Sequence, residues 1–435
     1  MLSLIRKSLE KTNNIKRSSY VWNAINAIVS ALESPVILMV MNRTNGLYDA
    51  GIFSIAFAVA ALMLYVGQYG LRRFQSSDIN AKYSFAEYHG ARVITCSALI
   101  IASICYCVYG IVVRDYSAQK AAVVIMICML RLIQAYVDVM HGHLQQKGRL
   151  DIAAKASAIR YIAEIIVYVV TLIITHDLII STITCLMASL LVFFTVSVNV
   201  VKPYCDTLKP SMNGQKIRML IIEGFPLFVS LFLNMYISNA PKYAIDAHLT
   251  EEIQTTYNCI FMPAFVVMLI AHFIFNPILT SYAELWLEHT REKFTILKKA
   301  IIKQTLIIAG LALLGILVAY TIGIPVLSII FGVDLSEFKE ELCVIMIGGG
   351  FLAYSYYYST VITIIRVHSS LFVCYGAVAL AAKIFAGWFV VNHGIMGAAA
   401  LYTVLMAALT LMLIVPLLWA IRKESISLRE KREEK

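Results

Sequence analysis

VVIMICMLRLIQAYVDVM (residues 123–140) and FVCYGAVALAAKIFAGWFVV (372–391) decide the fold. A membrane-crossing helix needs roughly 20 mostly apolar residues, and both stretches meet that rule. Each also carries a single cation near its middle, Arg131 in the first and Lys383 in the second. A full charge at mid-depth in a bilayer is costly and usually faces a water-filled pathway. One cation in each half of the chain, at similar depth, points to a central cavity for something anionic, and so to transport of a negatively charged substrate.

The composition agrees. The chain has 435 residues, 60% of them hydrophobic and only 14% charged, with a mean hydropathy of +0.78. A soluble protein could not cover so much apolar surface. The formal net charge of +10 could suggest nucleic acid as a partner. However, the Lys and Arg residues cluster in alternate loops, as membrane topology requires, and no aromatic-basic patch of the nucleic-acid kind occurs. The nine cysteines lie mostly inside apolar runs, without CxxC or Cys/His metal spacing, and read as small buried hydrophobes. No metal or cofactor is implied. The first 19 residues are polar and basic and hold no apolar core of a cleavable leader, so the first apolar segment is expected to act as its own insertion signal.

Twelve apolar segments follow, at about 20–41, 50–71, 91–113, 120–140, 152–175, 178–201, 217–237, 254–276, 300–321, 341–365, 369–391 and 394–420. The run IGIPVLSIIFG (322–332) is too short and too rich in Gly and Pro to span and is expected at the outer surface. Basic residues concentrate after the second segment (Arg72, Arg73, Lys82, Arg92), the fourth (Lys147, Arg149, Lys155), the sixth (Lys202, Lys209, Lys216, Arg218) and the eighth (Arg291, Lys293, Lys298, Lys299), and in the tail. The positive-inside rule then puts both termini in the cytoplasm, as an even segment count requires. The expected fold is an all-α polytopic membrane protein with about 12 transmembrane helices. It divides into a cytoplasmic N-terminal segment (1–19), an N-lobe (20–201), an inter-lobe linker (202–216), a C-lobe (217–420) and a basic tail (421–435). DAGIFSIAF (49–57) weakly echoes QTTYNCIFM (254–262), each opening the second helix of its half. Two related bundles with a site between them are a common transporter solution.

Five segments resemble Wzx-type flippases, the polysaccharide transporters of the multidrug/oligosaccharidyl-lipid/polysaccharide exporter (MOP) superfamily. They are YGLRRFQSSD (69–78), SNAPKYAID (238–246), IFMPAFV (260–266), the 275–286 run ending in AELW, and IFGVDLS (330–336). The resemblance runs along essentially the whole chain. It implies a MATE-like bundle of two six-helix lobes in a V that open alternately to each side. It also implies movement of an undecaprenyl-diphosphate-linked oligosaccharide from the inner to the outer leaflet of the bacterial cytoplasmic membrane, serving O-antigen, capsule or exopolysaccharide synthesis. A cationic cavity would take the diphosphate and sugar, a proton or sodium gradient is a candidate driver, and a polymerase and glycosyltransferases are candidate partners.

The candidate residues each carry two readings. Arg131, with Gln134 and Asp138 on the same helix face, either contacts a phosphate, which the planar guanidinium fork suits, or forms a structural pair within its lobe. Asp138, Arg160 and Glu164 lie in the inner half and could neutralise one another, and Arg160 with Glu164 has the i,i+4 spacing of a salt bridge. No acid lies within a turn of Lys383, so it must find a partner on another helix or on the substrate, unless it snorkels to an interface. Glu33 precedes Ser34 and Pro35 and shares a polar stripe with Asn23, Asn26 and Ser30. A carboxylate beside a proline bend is a candidate for carrying a coupling ion, as are Asp138 and Glu164. The polar stripe alternatively serves as interhelical glue. Lys242 follows Pro241 near the outer end of the seventh segment and is either a guide for the diphosphate at the outer mouth or an interfacial anchor. Arg72 and Arg73 end the second segment and attract lipid headgroups or the diphosphate, or merely set topology. His272 and Asn276 share a face and read as packing groups. Gly348, Gly349 and Gly350, followed by Tyr354, Tyr356, Tyr357 and Tyr358, read as a flexible segment with an aromatic wall, with packing as the default role of the tyrosines.

A drug/cation antiporter of the same superfamily would favour an acid-dominated cavity, which Arg131 and Lys383 against Glu33 alone disfavour. A membrane glycosyltransferase or polymerase would need larger extramembrane loops than these. No P-loop is present, so the chain has no motif for ATP hydrolysis.

Overall fold

The computed structural model describes residues 2–77, 82–211, 213–275, 278–288, 290–365 and 368–433. Among these the regular structure is helical. In order come α1 (Leu2–Glu10), α2 (Ile15–Thr44), α3 (Leu47–Gln68), α4 (Leu71–Ser77), α5 (Phe85–Val113), α6 (Ala118–Gln146), α7 (Leu150–Thr175), α8 (Leu178–Val192), α9 (Val198–Val201), α10 (Gly214–His248), α11 (Glu251–Phe275), α12 (Leu279–Leu287), α13 (Arg291–Val318), α14 (Ile324–Phe331), α15 (Lys339–Ile364) and α16 (His368–Glu433). The chain divides into two compact units, Met1–Phe232 and Leu233–Lys435, with the boundary inside α10.

Among the described residues, eleven helical runs are long and apolar enough to cross a membrane. The last, Ser370–Ile426, holds two crossing segments, because α16 breaks at Gly394 (φ 54°, ψ −131°). A Cβ on Gly397 would run into the carbonyl oxygen of Phe389. In one straight helix those residues would stand about 12 Å apart. The thiol of Cys374 reaches the carbonyl of Met412 at 3.5 Å, so the two arms lie antiparallel. The twelve apolar segments of the sequence are therefore present as helices.

Local signals set several boundaries. Ser84 and Glu87 form a capping box at the start of α5, each side chain bonding the other's backbone N–H, at 3.3 and 2.8 Å. This cap starts the helix at Phe85, six residues ahead of the expected 91, and so carries Arg92 two turns into it. Asp177 and Thr290 cap α8 and α13 by a single bond each, their side chains accepting from the backbone N–H of Ile180 and Lys293. Residues 319–323 form a π-helical turn that joins α13 to α14. The 322–332 run is thus helical and continues the ninth segment.

Within the first unit α3 and α6 are the most buried helices. They pack on each other, α5 packs on both, and α2 pairs with α7 and α7 with α8. Apolar association between helices gains little in lipid, so close contact of small residues supplies much of the packing. Gly67 illustrates this, since a Cβ there would lie 2.7 Å from Leu99 Cδ1 and 2.8 Å from Ala135 Cβ. The N-terminal α1 docks through its carbonyls: Lys155 donates to Leu9 O at 2.8 Å and Arg149 to Glu10 O at 2.9 Å. Lys82, in the connection between α4 and α5, bonds Glu223 of α10 at 2.6 Å, and that carboxylate holds its ammonium above the ordinary lysine range.

In the second unit α15 is the hub, packed on α11, α13 and α16. The reading of Gly348–Gly350 as a flexible segment is corrected here. The three glycines lie inside continuous helix, and each meets a different neighbour. A Cβ would lie 2.5 Å from Tyr402 at Gly348, 3.0 Å from Ala264 at Gly349 and 2.9 Å from Ala312 at Gly350. Gly349→Val would force α11 away from α15 and is expected to cost about 1–3 kcal/mol or more, read as a fall in the unfolding midpoint of the detergent-solubilised protein. The following tyrosines pack inwards. Tyr357 bonds Tyr282 at 3.2 Å, and Tyr354 donates to Thr305 O at 3.1 Å. Asn276 and the side chain of His272 lie outside the described residues.

Candidate functional site

Among the described residues of the first unit, the candidate acids fall into two separate ion networks. The mid-depth one joins α2, α3 and α6. Arg131 Nη2 donates to Glu33 Oε2 at 3.0 Å, Nη1 donates to Gln134 Oε1 at 2.9 Å, and the guanidinium lies 4.4 Å from the Phe57 ring centroid. Both charged residues are 4% exposed. Glu33 is positioned by α2, which continues through Pro35. The next pair is on α7, where Arg160 donates to Glu164 at 2.6 Å, and Ser189 of α8 donates to the same carboxylate at 2.5 Å. The four groups lie within electrostatic reach of one another. Two cations therefore face two anions, and the cluster is neutral as a set.

Of the two readings of Arg131, the structure shows a within-unit pair, and the partner, Glu33, lies 98 residues earlier. An anionic ligand would engage Arg131 only by competing with that carboxylate. Breaking such a pair by removing one member is far more costly than never having built it, because the remaining charge stays buried.

The second network lies seven residues further along α6, about 10 Å away by helical rise. Asp138 accepts from Arg92 Nη2 at 2.9 Å and from Arg72 Nη1 at 3.4 Å. Arg92 also donates to the carbonyl of Gly67, which Thr95 bonds as well at 2.7 Å. The expected neutralisation of Asp138 by Arg160 and Glu164 is thus corrected. Those two satisfy each other, and Asp138 is held from α5 and α4 instead. Arg92 is the residue that sequence reasoning missed. It read as a loop cation but is fully buried. The S-x-x-E capping box at 84–87 was the signal that places it inside a helix.

Arg72 and Arg73 do not end the second crossing helix. That helix stops at Gln68, Tyr69 and Gly70 take left-handed backbone (φ 50° and 69°), and the two arginines open the short α4. Arg72 turns in to Asp138 and to Gln145 (3.4 Å), while Arg73 is exposed.

In the second unit Lys242 of α10 is buried at 7% exposure. Its ammonium donates to Asn258 Oδ1 at 2.6 Å and lies 4.7 Å from the Phe261 ring centroid. Lys383, in the first arm of α16, is exposed and makes no ion pair or hydrogen bond among the described residues. The structure thus brings Glu33, Arg131, Arg160 and Glu164 together, and separately Asp138 with Arg72 and Arg92.

No family model matches the chain, and no curated protein matches its sequence. Solved structures do match its fold. The lipid II flippase MurJ, in an inward closed conformation, aligns with a TM-score of 0.70 at 14% identity, over 93% of this chain and 90% of that one. An inward-facing multidrug resistance MATE family transporter of the MOP superfamily aligns with a TM-score of 0.65 at 15% identity, over 95% and 99%. A MOP superfamily transporter from Pyrococcus furiosus, described as having a binding pocket of reverse polarity that suggests a different function, aligns with a TM-score of 0.56 at 15% identity, over 98% of both chains. The chain is a multi-pass, all-helical membrane protein with the fold of the MOP superfamily transporters.

Proposed function

We propose that this protein is a flippase that carries undecaprenyl-diphosphate-linked oligosaccharide repeat units across the bacterial cytoplasmic membrane by alternating access, with both termini cytoplasmic and with its cargo destined for O-antigen, capsule or exopolysaccharide. It is a transporter, without enzymatic chemistry of its own. One observation carries the sign of the cargo. The candidate acids Glu33, Asp138 and Glu164 are each neutralised by arginine inside the first unit, whereas Lys383 is exposed in a membrane helix without an acidic partner among the described residues. A membrane interior with that balance favours an anion such as a diphosphate over a cationic drug. The fold shared with a lipid II flippase supports a lipid-linked cargo. The lipid tail would stay in the bilayer while the diphosphate and glycan cross through a cavity, which spares the charged headgroup the cost of hydrocarbon.

The Glu33–Arg131 pair supplies a coupling device. A proton or other cation arriving at Glu33 would release the Arg131 fork to phosphate, and departure of the anion would restore the pair. Arg72 and Arg73 would first gather the anionic headgroup. The polymerase and glycosyltransferases of the pathway would work alongside.

The test is leaflet exchange of a fluorescent undecaprenyl-diphosphate oligosaccharide in proteoliposomes, read with a membrane-impermeant quencher. Protein-dependent exchange that falls at least tenfold in Lys383→Ala, with insertion intact, is the expected result. A tenfold loss corresponds to about 1.4 kcal/mol, close to the net worth of one hydrogen bond to a charged group. Absence of exchange with several glycans, together with proton-driven efflux of a cationic dye, would reassign the protein to drug export.

A further inference from the structure

The buried surroundings of Lys242 contain more hydrogen-bond donors than acceptors. An ammonium has three N–H donors and no acceptor, and the single hydrogen bond it makes goes to Asn258. Gln254, Tyr257, Asn258 and Phe261 follow one another at i, i+3, i+4 and i+7 on one face of α11. Around the Phe261 ring stand the Lys242 ammonium at 4.7 Å, the Tyr257 ring at 5.5 Å and, from the second arm of α16, the Tyr402 ring at 4.8 Å. Gln254, Tyr257 and Tyr402 are each fully enclosed (0% exposed). Neither phenol hydroxyl has a hydrogen-bond partner, and neither amide atom of Gln254 has one. Buried polar groups ordinarily find a hydrogen-bond partner, and a bound water or ion is one way such a cluster is satisfied.

The chemistry of the cluster selects the sign and size of such an ion. Its free groups are an ammonium, two phenols and a carboxamide. Lys242 itself makes no ion pair among the described residues, and the acids Glu251 and Glu252 lie in the first turn of α11. Gln254 occupies the first turn of that helix, its backbone N–H bonded to Thr250 O at 3.1 Å, so the positive end of the helix dipole adds to the lysine. A sugar diphosphate is far too large for groups this enclosed.

We propose that Lys242, Gln254, Tyr257 and Tyr402 form an internal binding site in the second unit for a small monovalent anion of the halide class. The ion neutralises the lysine, accepts the phenol protons, and ties α10, α11 and α16 together. The site is separate from the glycolipid cargo, and it stands or falls without reference to flipping.

The test uses the full-length protein in detergent. Its thermal unfolding is followed as sodium chloride or bromide replaces sodium gluconate at constant ionic strength. The expected result is a saturable rise in Tm with chloride and bromide that vanishes in Lys242→Met. Tyr402→Phe, which keeps the ring on Phe261, should raise the halide concentration for half the effect by about tenfold, the worth of one hydrogen bond to a charge. Bromide should also give an anomalous scattering peak within hydrogen-bonding distance of Lys242 Nζ. An equal response in gluconate, or a halide response that survives in Lys242→Met, overturns the site. Should Lys242→Met not fold, unchanged halide midpoints in both Tyr402→Phe and Gln254→Leu overturn it.

Discussion

Replacing Arg131 by methionine alone should destabilise the protein by about 3–5 kcal/mol, whereas replacing Arg131 and Glu33 together by Met and Leu should restore most of that loss. The asymmetry follows from burial. Both side chains are 5% exposed and share a 3.0 Å contact, so removing the guanidinium leaves a carboxylate in an apolar setting with nothing to neutralise it. Breaking a buried pair costs in this range, while exchanging the whole pair for apolar residues of similar volume is often neutral or stabilising. A double-mutant cycle on thermal unfolding in detergent checks it. The cycle also tests the coupling proposal, because a stable double variant that still flips lipid at the wild-type rate in a proton gradient would remove Glu33 and Arg131 from the transport mechanism.

The second large effect separates two arginines that share one acid. Arg92→Met should cost about 3–5 kcal/mol, and Arg72→Gln should cost no more than about 1 kcal/mol. Arg92 is fully buried, 2.9 Å from Asp138, and also bonded to the Gly67 carbonyl. Its loss strands a carboxylate that is itself nearly buried. Arg72 is a third exposed and stands 3.4 Å away, so water screens its share. Comparable losses for the two variants in a denaturation series would show that the network is organised otherwise than the distances indicate.

The crossing helices were legible in the sequence because the 20-residue apolar rule acts locally, residue by residue. Arg160 and Glu164 were legible for the same reason, being one helical turn apart. The partner of Arg131 was not, since Glu33 comes from a helix 98 residues away and only packing brings them together. Asp138 was grouped with Arg160 and Glu164 because Arg92 read as a loop residue, although the capping box at Ser84 and Glu87 contained the information to extend α5 over it. The three glycines of α15 misled in the opposite direction. Glycine weakens an isolated helix, but among membrane helices it permits close approach, and that use leaves no local trace. The unpaired donors around Lys242 were likewise invisible, because Gln254, Tyr257 and Tyr402 read singly as ordinary polar residues of apolar helices.

The break at Gly394 bears on how the chain enters the bilayer in the first place. With a turn this tight, the arms of α16 leave the insertion machinery almost no loop to thread. The first arm carries Lys383, and a lysine at the centre of a helix opposes insertion by about 2.5–3.5 kcal/mol. The arm after Gly394 has no charged residue before Arg422. The two arms would therefore partition as one hairpin, with the hydrophobicity of the later arm offsetting the charge of the earlier. Lengthening the turn with a polar linker would uncouple them, and Lys383 would then have to enter the membrane unassisted.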